Sequence, residues 1–137
     1  MSKTNSENDN IKTPRPHDPG ATMRTSETGG HKQAKLARFG LIPPGPLREL
    51  AELYGRGAEL YSDHNYLKGY DWSLSYDALQ RHLNAFWDGE DLDPEARSKH
   101  VINAAWHCLA LAEFMNHPER YSQFDDRIST SHPQDRS

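Results

Sequence analysis

Three polar residues, His100, Asn103 and His107, recur at i, i+3 and i+7 within and beside the most apolar run of the chain, residues 101–115. On a helix that spacing puts all three on one face. A buried helix must supply each of them with a hydrogen-bond partner or a ligand. Just upstream, Asp88-Gly89-Glu90-Asp91-Leu92-Asp93 gathers four carboxylates into six residues. This turn joins the stretch bearing His82 to the stretch bearing His100 and His107, so carboxylate oxygens and imidazole nitrogens can converge. Mg²⁺ and Mn²⁺ take hard oxygen ligands, and imidazole tilts a site towards Mn, Fe, Co or Zn. The alternative reading of the same residues is a solvated acidic turn, with Asp93 as a helix cap, leading into a hydrogen-bonded histidine face.

A second carboxylate pair, Glu49 and Glu52, stands at i, i+3 and is either a solvated helix face or a further pair of metal ligands. Cations able to meet an anionic group are Lys35 and Arg38 ahead of the first helix, Lys68 in a loop, and Arg81 beside His82. Trp72 and Tyr66 offer flat faces for stacking. Each of these, taken alone, is as readily a surface charge or a packing aromatic.

Positioning such residues falls to a small core. Residues 1–33 are rich in Ser, Thr, Asn, Pro and Gly and poor in large apolar side chains, and 128–137 are similar. Such segments bury too little to offset the entropy of ordering, so both are expected to be disordered tails. Residues 34–127 are expected to form one domain, small enough that a homodimer or higher homo-oligomer would help it. With 16 basic and 20 acidic residues the net charge is −4, which argues against a partner that is a nucleic acid polymer. No apolar stretch reaches the ~20 residues of a bilayer span, and no secretory signal opens the chain. A cytoplasmic protein without a membrane partner is expected. Cys108, the single cysteine, lies in the apolar run and reads as a small core residue.

The expected fold is all-α, a small bundle of three main helices; strands have little support. The first helix opens after Ile42-Pro43-Pro44-Gly45, with Pro46 at an early position where a missing N–H is harmless. Leu47, Leu50, Ala51, Tyr54, Ala58 and Tyr61 line one face. Gly55 and Gly57 interrupt it, marking either a break or a close approach to the backbone. Residues 62–70 read as a loop. The second helix starts near Ser73 or Ser75, carries an apolar stripe of Tyr76, Leu79, Leu83 and Phe86, and stops at Asp88-Gly89. The third opens with Asp93 as cap, Pro94 and Glu95. Being apolar nearly all round from Val101 to Met115, it should be central and buried.

The order of these residues resembles a known family. Gly29-Gly30-His31-Lys32 and Ala37-Arg38-Phe39-Gly40-Leu41-Ile42-Pro43 look like the opening of the phage dATP/dGTP diphosphohydrolase N-terminal-domain family. This is a family of the MazG-like nucleotide pyrophosphohydrolase type. The likeness continues through Leu53-Tyr54-Gly55-Arg56-Gly57-Ala58, Tyr61, Asn65-Tyr66-Leu67-Lys68-Gly69 and Trp72-Ser73. It runs on through Arg81-His82-Leu83, the segment Phe86 to Asp93, His100 and Ala105-Trp106-His107, and closes at Phe124-Asp125-Asp126-Arg127. Gly40 stands where the family usually has Asp, and Tyr66 where it has Trp.

The resemblance implies hydrolysis of purine deoxynucleoside triphosphates to monophosphates with a divalent metal, Mg²⁺ or Mn²⁺, altering nucleotide pools in a phage-infected cell. It carries His82, Glu90, Asp91, Asp93, His100 and His107 over as the working group. On this reading His82, Glu90 and His107 are catalytic, and Asp91, Asp93, His100 and Glu90 hold metal. Glu49 and Glu52 join the metal set because an ExxE pair is the spacing by which all-helical NTP pyrophosphohydrolases hold Mg²⁺. Lys35, Arg38, Lys68, Arg81 and Trp72 would bind the nucleoside triphosphate. The rival is a non-catalytic nucleotide-binding or host-protein-binding accessory module, in which the same histidines are structural.

Overall fold

A computed structural model describes residues 22–130. Most of the expected N-terminal tail, residues 1–21, and of the C-terminal one, residues 131–137, lie outside the described residues. The chain divides into two compact units, Met1–Pro43 and Pro44–Ser137.

The described part of the first unit holds an antiparallel hairpin that the sequence did not announce. Strands β1 (Thr22–Thr25) and β2 (His31–Ala34) pair in the register Thr22 to Ala34 through Thr25 to His31. Two strands of four mostly polar residues show no apolar alternation, so the period-2 signal is missing. Their loop is closed by backbone: the Ser26 N–H donates to Gly30 C=O at 2.8 Å, and Gly29 takes the left-handed φ of +89°. A 3-10 turn, Phe39–Leu41, follows.

The second unit is the helical bundle: α1 (Pro44–Leu60), α2 (Trp72–Trp87), α3 (His100–Asn116) and the short α4 (Pro118–Tyr121). As the apolar run suggested, α3 is central, packing against α1, α2 and α4. The core is largely aromatic. Trp72, Ala110, Phe114 and Tyr121 are buried, with Tyr66, Tyr70, Trp106, Leu111 and Phe124 packed around them. Tyr70 meets Phe114 edge-on at 5.2 Å, and the Tyr121 hydroxyl donates to Leu67 C=O at 2.6 Å. None of the described helices is long and apolar enough to cross a membrane.

Four expectations are corrected. First, α3 begins at His100, not at Asp93. Asp93 does cap, its Oδ1 accepting the N–H groups of Glu95 and Ala96 at 2.8 and 2.9 Å. It caps only one turn, because Arg97 turns left-handed (φ +58°) and Leu92 bridges back to Lys99. Second, neither Ser73 nor Ser75 caps α2, which starts at Trp72; its first turn is capped from afar, Asp126 accepting the Ser73 N–H at 2.9 Å. Third, the stripe Tyr76, Leu83 and Phe86 is exposed, while Trp72, Ser75 and His82 face inward. Fourth, Cys108 is exposed, along with Val101, Leu109 and Met115 on the outer side of α3. By contrast, α1 runs through Gly55 and Gly57 without a break.

The segment Phe124–Arg127 closes the bundle over the start of α2. Gly69 sits at φ +91°, and a Cβ there would collide with the Phe124 ring. Gly69→Ala therefore combines backbone strain with a steric clash and is expected to cost about 3 kcal/mol. Urea denaturation measures it, and an unchanged midpoint would refute this account of the latch.

Candidate metal centre and its adjoining cavity

The site is built where α2 and α3 run antiparallel. His82 on α2 and His100 on α3 place their Nδ1 atoms 2.9 Å apart. Asp93, delivered by the closed turn before α3, brings Oδ2 to 3.6 Å from His82 Nδ1. One ligand atom from each of His82, Asp93 and His100 lies within 4.8 Å of the others, close enough for the three to hold a metal ion. Cis ligands around an ion with bonds of ~2.1 Å stand ~3 Å apart. The 2.9 Å between imidazole nitrogens fits that edge as well as it fits an N–H···N bond.

The surroundings favour a cation. Hydrogen bonds from the Ala96 and Glu95 N–H groups hold the Asp93 carboxyl below its usual range, so it is ionised at neutral pH. Burial pushes His82 down despite the opposing pull of Asp93. It pushes His107 down to about 4, so that ring is a neutral imidazole. His100 is 5% exposed, and its Nε2 is buried without a well-formed hydrogen bond. Glu90 Oε1 approaches that nitrogen to 3.2 Å but is misaligned. A carboxylate behind the far nitrogen of a ligating histidine is a recurrent orienting arrangement in metal sites. The N,O donor set suits Mn²⁺, Fe²⁺, Co²⁺ or Zn²⁺ better than Mg²⁺.

One heptad along the seam lies a second polar group. Ser75, fully buried on α2, has its Oγ 2.9 Å from His107 Nδ1 and 2.6 Å from the Tyr70 hydroxyl. The His107 ring stacks at 6.0 Å on His82. Asn103, between His100 and His107 on the same face, donates from Nδ2 to Ser98 Oγ at 2.8 Å and to Lys99 C=O at 3.2 Å.

These residues open onto a cavity of about 690 Å³, within the range of small-molecule sites. Ser75, Asn103, Trp106 and His107 form one side, and Leu53, Tyr54, Gly55, Gly57 and Ala58 of α1 the other. Tyr61, Tyr66 and Tyr70 also line it, together with Leu74 and the polar segment 62–65. Tyr54, Tyr66 and Trp106 contact one another at 5.5 to 5.9 Å between ring centroids. Burial raises the Tyr54 phenol to about 12, so it stays protonated.

Of the residues singled out from sequence, the structure brings together His82, Asp93 and His100, with Glu90 behind His100 and His107 stacked beside His82. It does not bring in the Asp91 carboxylate, which is exposed; Asp91 contributes its backbone C=O, which accepts the His100 N–H at 2.9 Å. Glu49 is paired with Lys99 Nζ at 2.9 Å and Glu52 is exposed, so neither joins the cluster. Trp72 is a core residue under the Arg127 guanidinium and does not line the cavity, whereas Tyr66 does. Arg81 is exposed next to His82, Lys68 is exposed in a 3-10 turn, and Lys35 and Arg38 belong to the first unit. Ser75 and Tyr70 escaped the sequence reading. The available signal was that Ser75 and His82 stand at i, i+7 on one face of α2.

Residues 26–127 match the family model described as dATP/dGTP diphosphohydrolase, N-terminal. No curated protein and no solved structure matches the chain.

A cluster that binds the folded state alone must stabilise it. Mn²⁺ or Zn²⁺ at about 100 times its Kd is expected to add about 2.7 kcal/mol, seen as a rise in Tm, with a smaller effect from Mg²⁺. His82→Ala should lose the rise; a rise that survives the substitution would place the metal elsewhere.

Proposed function

Because the chain belongs to the dATP/dGTP diphosphohydrolase N-terminal family, whose model covers most of its length, we propose that it hydrolyses purine deoxynucleoside triphosphates to monophosphates. The observation that carries this reading is that a cluster able to hold a divalent ion adjoins, through His107, a cavity of nucleotide size whose lining includes four tyrosines and Trp106.

His82, Asp93 and His100 would hold the ion, and Glu90 would orient His100. When bound, a divalent cation neutralises phosphate charge and makes a water acidic enough to act as nucleophile near neutral pH. Asp93 contributes a fixed negative charge, and its Oδ1 is already occupied by backbone, leaving Oδ2 for the cluster. Arg81, exposed beside His82, would meet a phosphate oxygen and stabilise charge on the transferred group. His107, neutral and held by Ser75, or Glu90 would take the proton of the attacking water. The Tyr70–Ser75–His107 chain couples the His107 tautomer to the direction of the two hydroxyls: Ser75 Oγ accepting from Nδ1–H leaves Nε2 as the basic nitrogen. The P–O link between the α- and β-phosphates would break as water adds to phosphorus, one proton of the water passing to that base, and monophosphate and pyrophosphate would be released.

Self-association belongs to the same reading. It is supported by Val101, Leu109 and Met115, apolar and exposed on the outer side of α3, where a lone small domain gains from covering such a face. Sedimentation analysis is expected to give a dimer or larger species, and a monomer at assay concentration would remove this part of the proposal.

The decisive assay is release of phosphate and pyrophosphate from the four dNTPs with EDTA, Mg²⁺ or Mn²⁺. Turnover is expected for dATP and dGTP, abolished by EDTA. Asp93→Asn keeps an oxygen for the cap and removes the charge, so it should fold and lose about 100-fold or more in kcat. Folded wild-type protein that binds nucleotide without turning it over would favour the non-catalytic module instead.

A further inference from the structure

Gly55 and Gly57 have no reason internal to the chain to be glycine. Both lie within the continuous α1, neither has the left-handed φ seen at Gly29, Gly69 and Gly89, and a Cβ on either would meet no protein atom within 4 Å. Glycine is the poorest helix former after proline and alanine the best, so folding alone would favour a side chain at both. Both line the cavity. What their missing side chains leave room for is therefore the cavity's occupant.

An independent observation gives that occupant a polar edge. Asn103 is 6% exposed, and its amide nitrogen is committed to Ser98 Oγ and Lys99 C=O. Among the described residues its Oδ1 accepts no hydrogen bond, and Asn103 lines the cavity. On the cavity wall that oxygen stays available to accept a hydrogen bond from an occupant.

We infer that the cavity seats a purine base flat against the bare α1 backbone at Gly55 and Gly57, with Asn103 Oδ1 accepting from an amino or ring N–H on its edge. This rests on the nucleotide reading and adds to it the residues that admit the base. Tyr54, Tyr66 and Trp106 supply the remaining aromatic contact.

The test uses the full chain with Gly57→Ala and Gly57→Leu, and deoxyadenosine, which carries no phosphate, followed by ligand-observed NMR. Gly57→Ala should raise Tm by about 4 °C. Gly57→Leu should not lower Tm, should keep Mn²⁺ affinity within twofold, and should raise the KM for dATP at least tenfold while abolishing deoxyadenosine binding. The wild type should also bind the purine deoxyriboside lacking the 6-amino group about tenfold more weakly than deoxyadenosine. If Gly57→Leu binds deoxyadenosine and dATP as the wild type does, the inference is overturned. Deoxyadenosine binding lost in Gly57→Leu, from a protein that turns over no dNTP, would instead retire the hydrolase reading and keep the pocket.

Discussion

The seam between α2 and α3 is held by buried polar side chains that pair across it. Ser75 and His100 are buried within it, and each finds its partner across the seam, Ser75 on His107 and His100 on His82. Seven residues forward along α2 correspond to seven residues back along α3, so the two pairs belong to a single antiparallel register. A slip of one residue on α2 would turn its face by about 100° and set Leu74 or Tyr76 where Ser75 now meets His107. Apolar packing tolerates approximate fits, whereas a pair of hydrogen bonds this short does not. The polar pairs thus fix how the helices dock, and the docking in turn sets the histidines against one another.

Residues that do no chemistry hold this seam in place. The α2 helix is gripped at its first turn by Asp126, with Arg127 lying over Trp72 and Phe124 packed on Gly69. At its far end it leads directly into the acidic turn that returns Asp93 to the cluster. Lys99, on the bridge that closes that turn, is tied to Glu49 of α1. The pairing uses only Oε1 of Glu49, whose Oε2 is buried without a hydrogen-bond partner; it anchors α1, which forms one wall of the cavity, to the turn.

Much of this was legible in the residues. The polar face of α3, the convergence of the acidic turn with His82 and His100, and the capping role of Asp93 all follow from spacing and side-chain chemistry. The docking face of α2 was not legible. Periodicity points to a stripe of Tyr76, Leu79, Leu83 and Phe86, but the inward face includes Ser75 and His82, whose burial depends on partners in another helix that a local pattern cannot display. Gly55 and Gly57 could be read either as a break or as a close approach to the backbone, and only the continuous helix beside an open cavity decides between them. The hairpin of the first unit was hidden for a different reason: four-residue polar strands hold together by backbone bonds, which leave no trace in hydropathy.

The start of α3 at His100 instead of Asp93 is what makes a site possible. Asp93-Pro94-Glu95 has the composition of a helix opening, and the cap bonds it would make are present. Had the helix continued from there, Asp93 and His100 would lie seven residues apart on one face, separated by about 10 Å along the axis at 1.5 Å per residue. No single ion could touch both. Instead Arg97 takes a left-handed conformation that costs a non-glycine residue roughly 1–2 kcal/mol, and the Leu92–Lys99 bridge folds the segment back on itself. The fold-back brings the Asp93 carboxylate within ligand distance of both histidines. Local propensity alone favours the longer helix, so the strain at Arg97 is offset by the bridge, by the Asp91–His100 backbone bond and by the Lys99–Glu49 pair. Asp93 therefore serves two ends with its two oxygens: one terminates a turn, and the other completes the cluster.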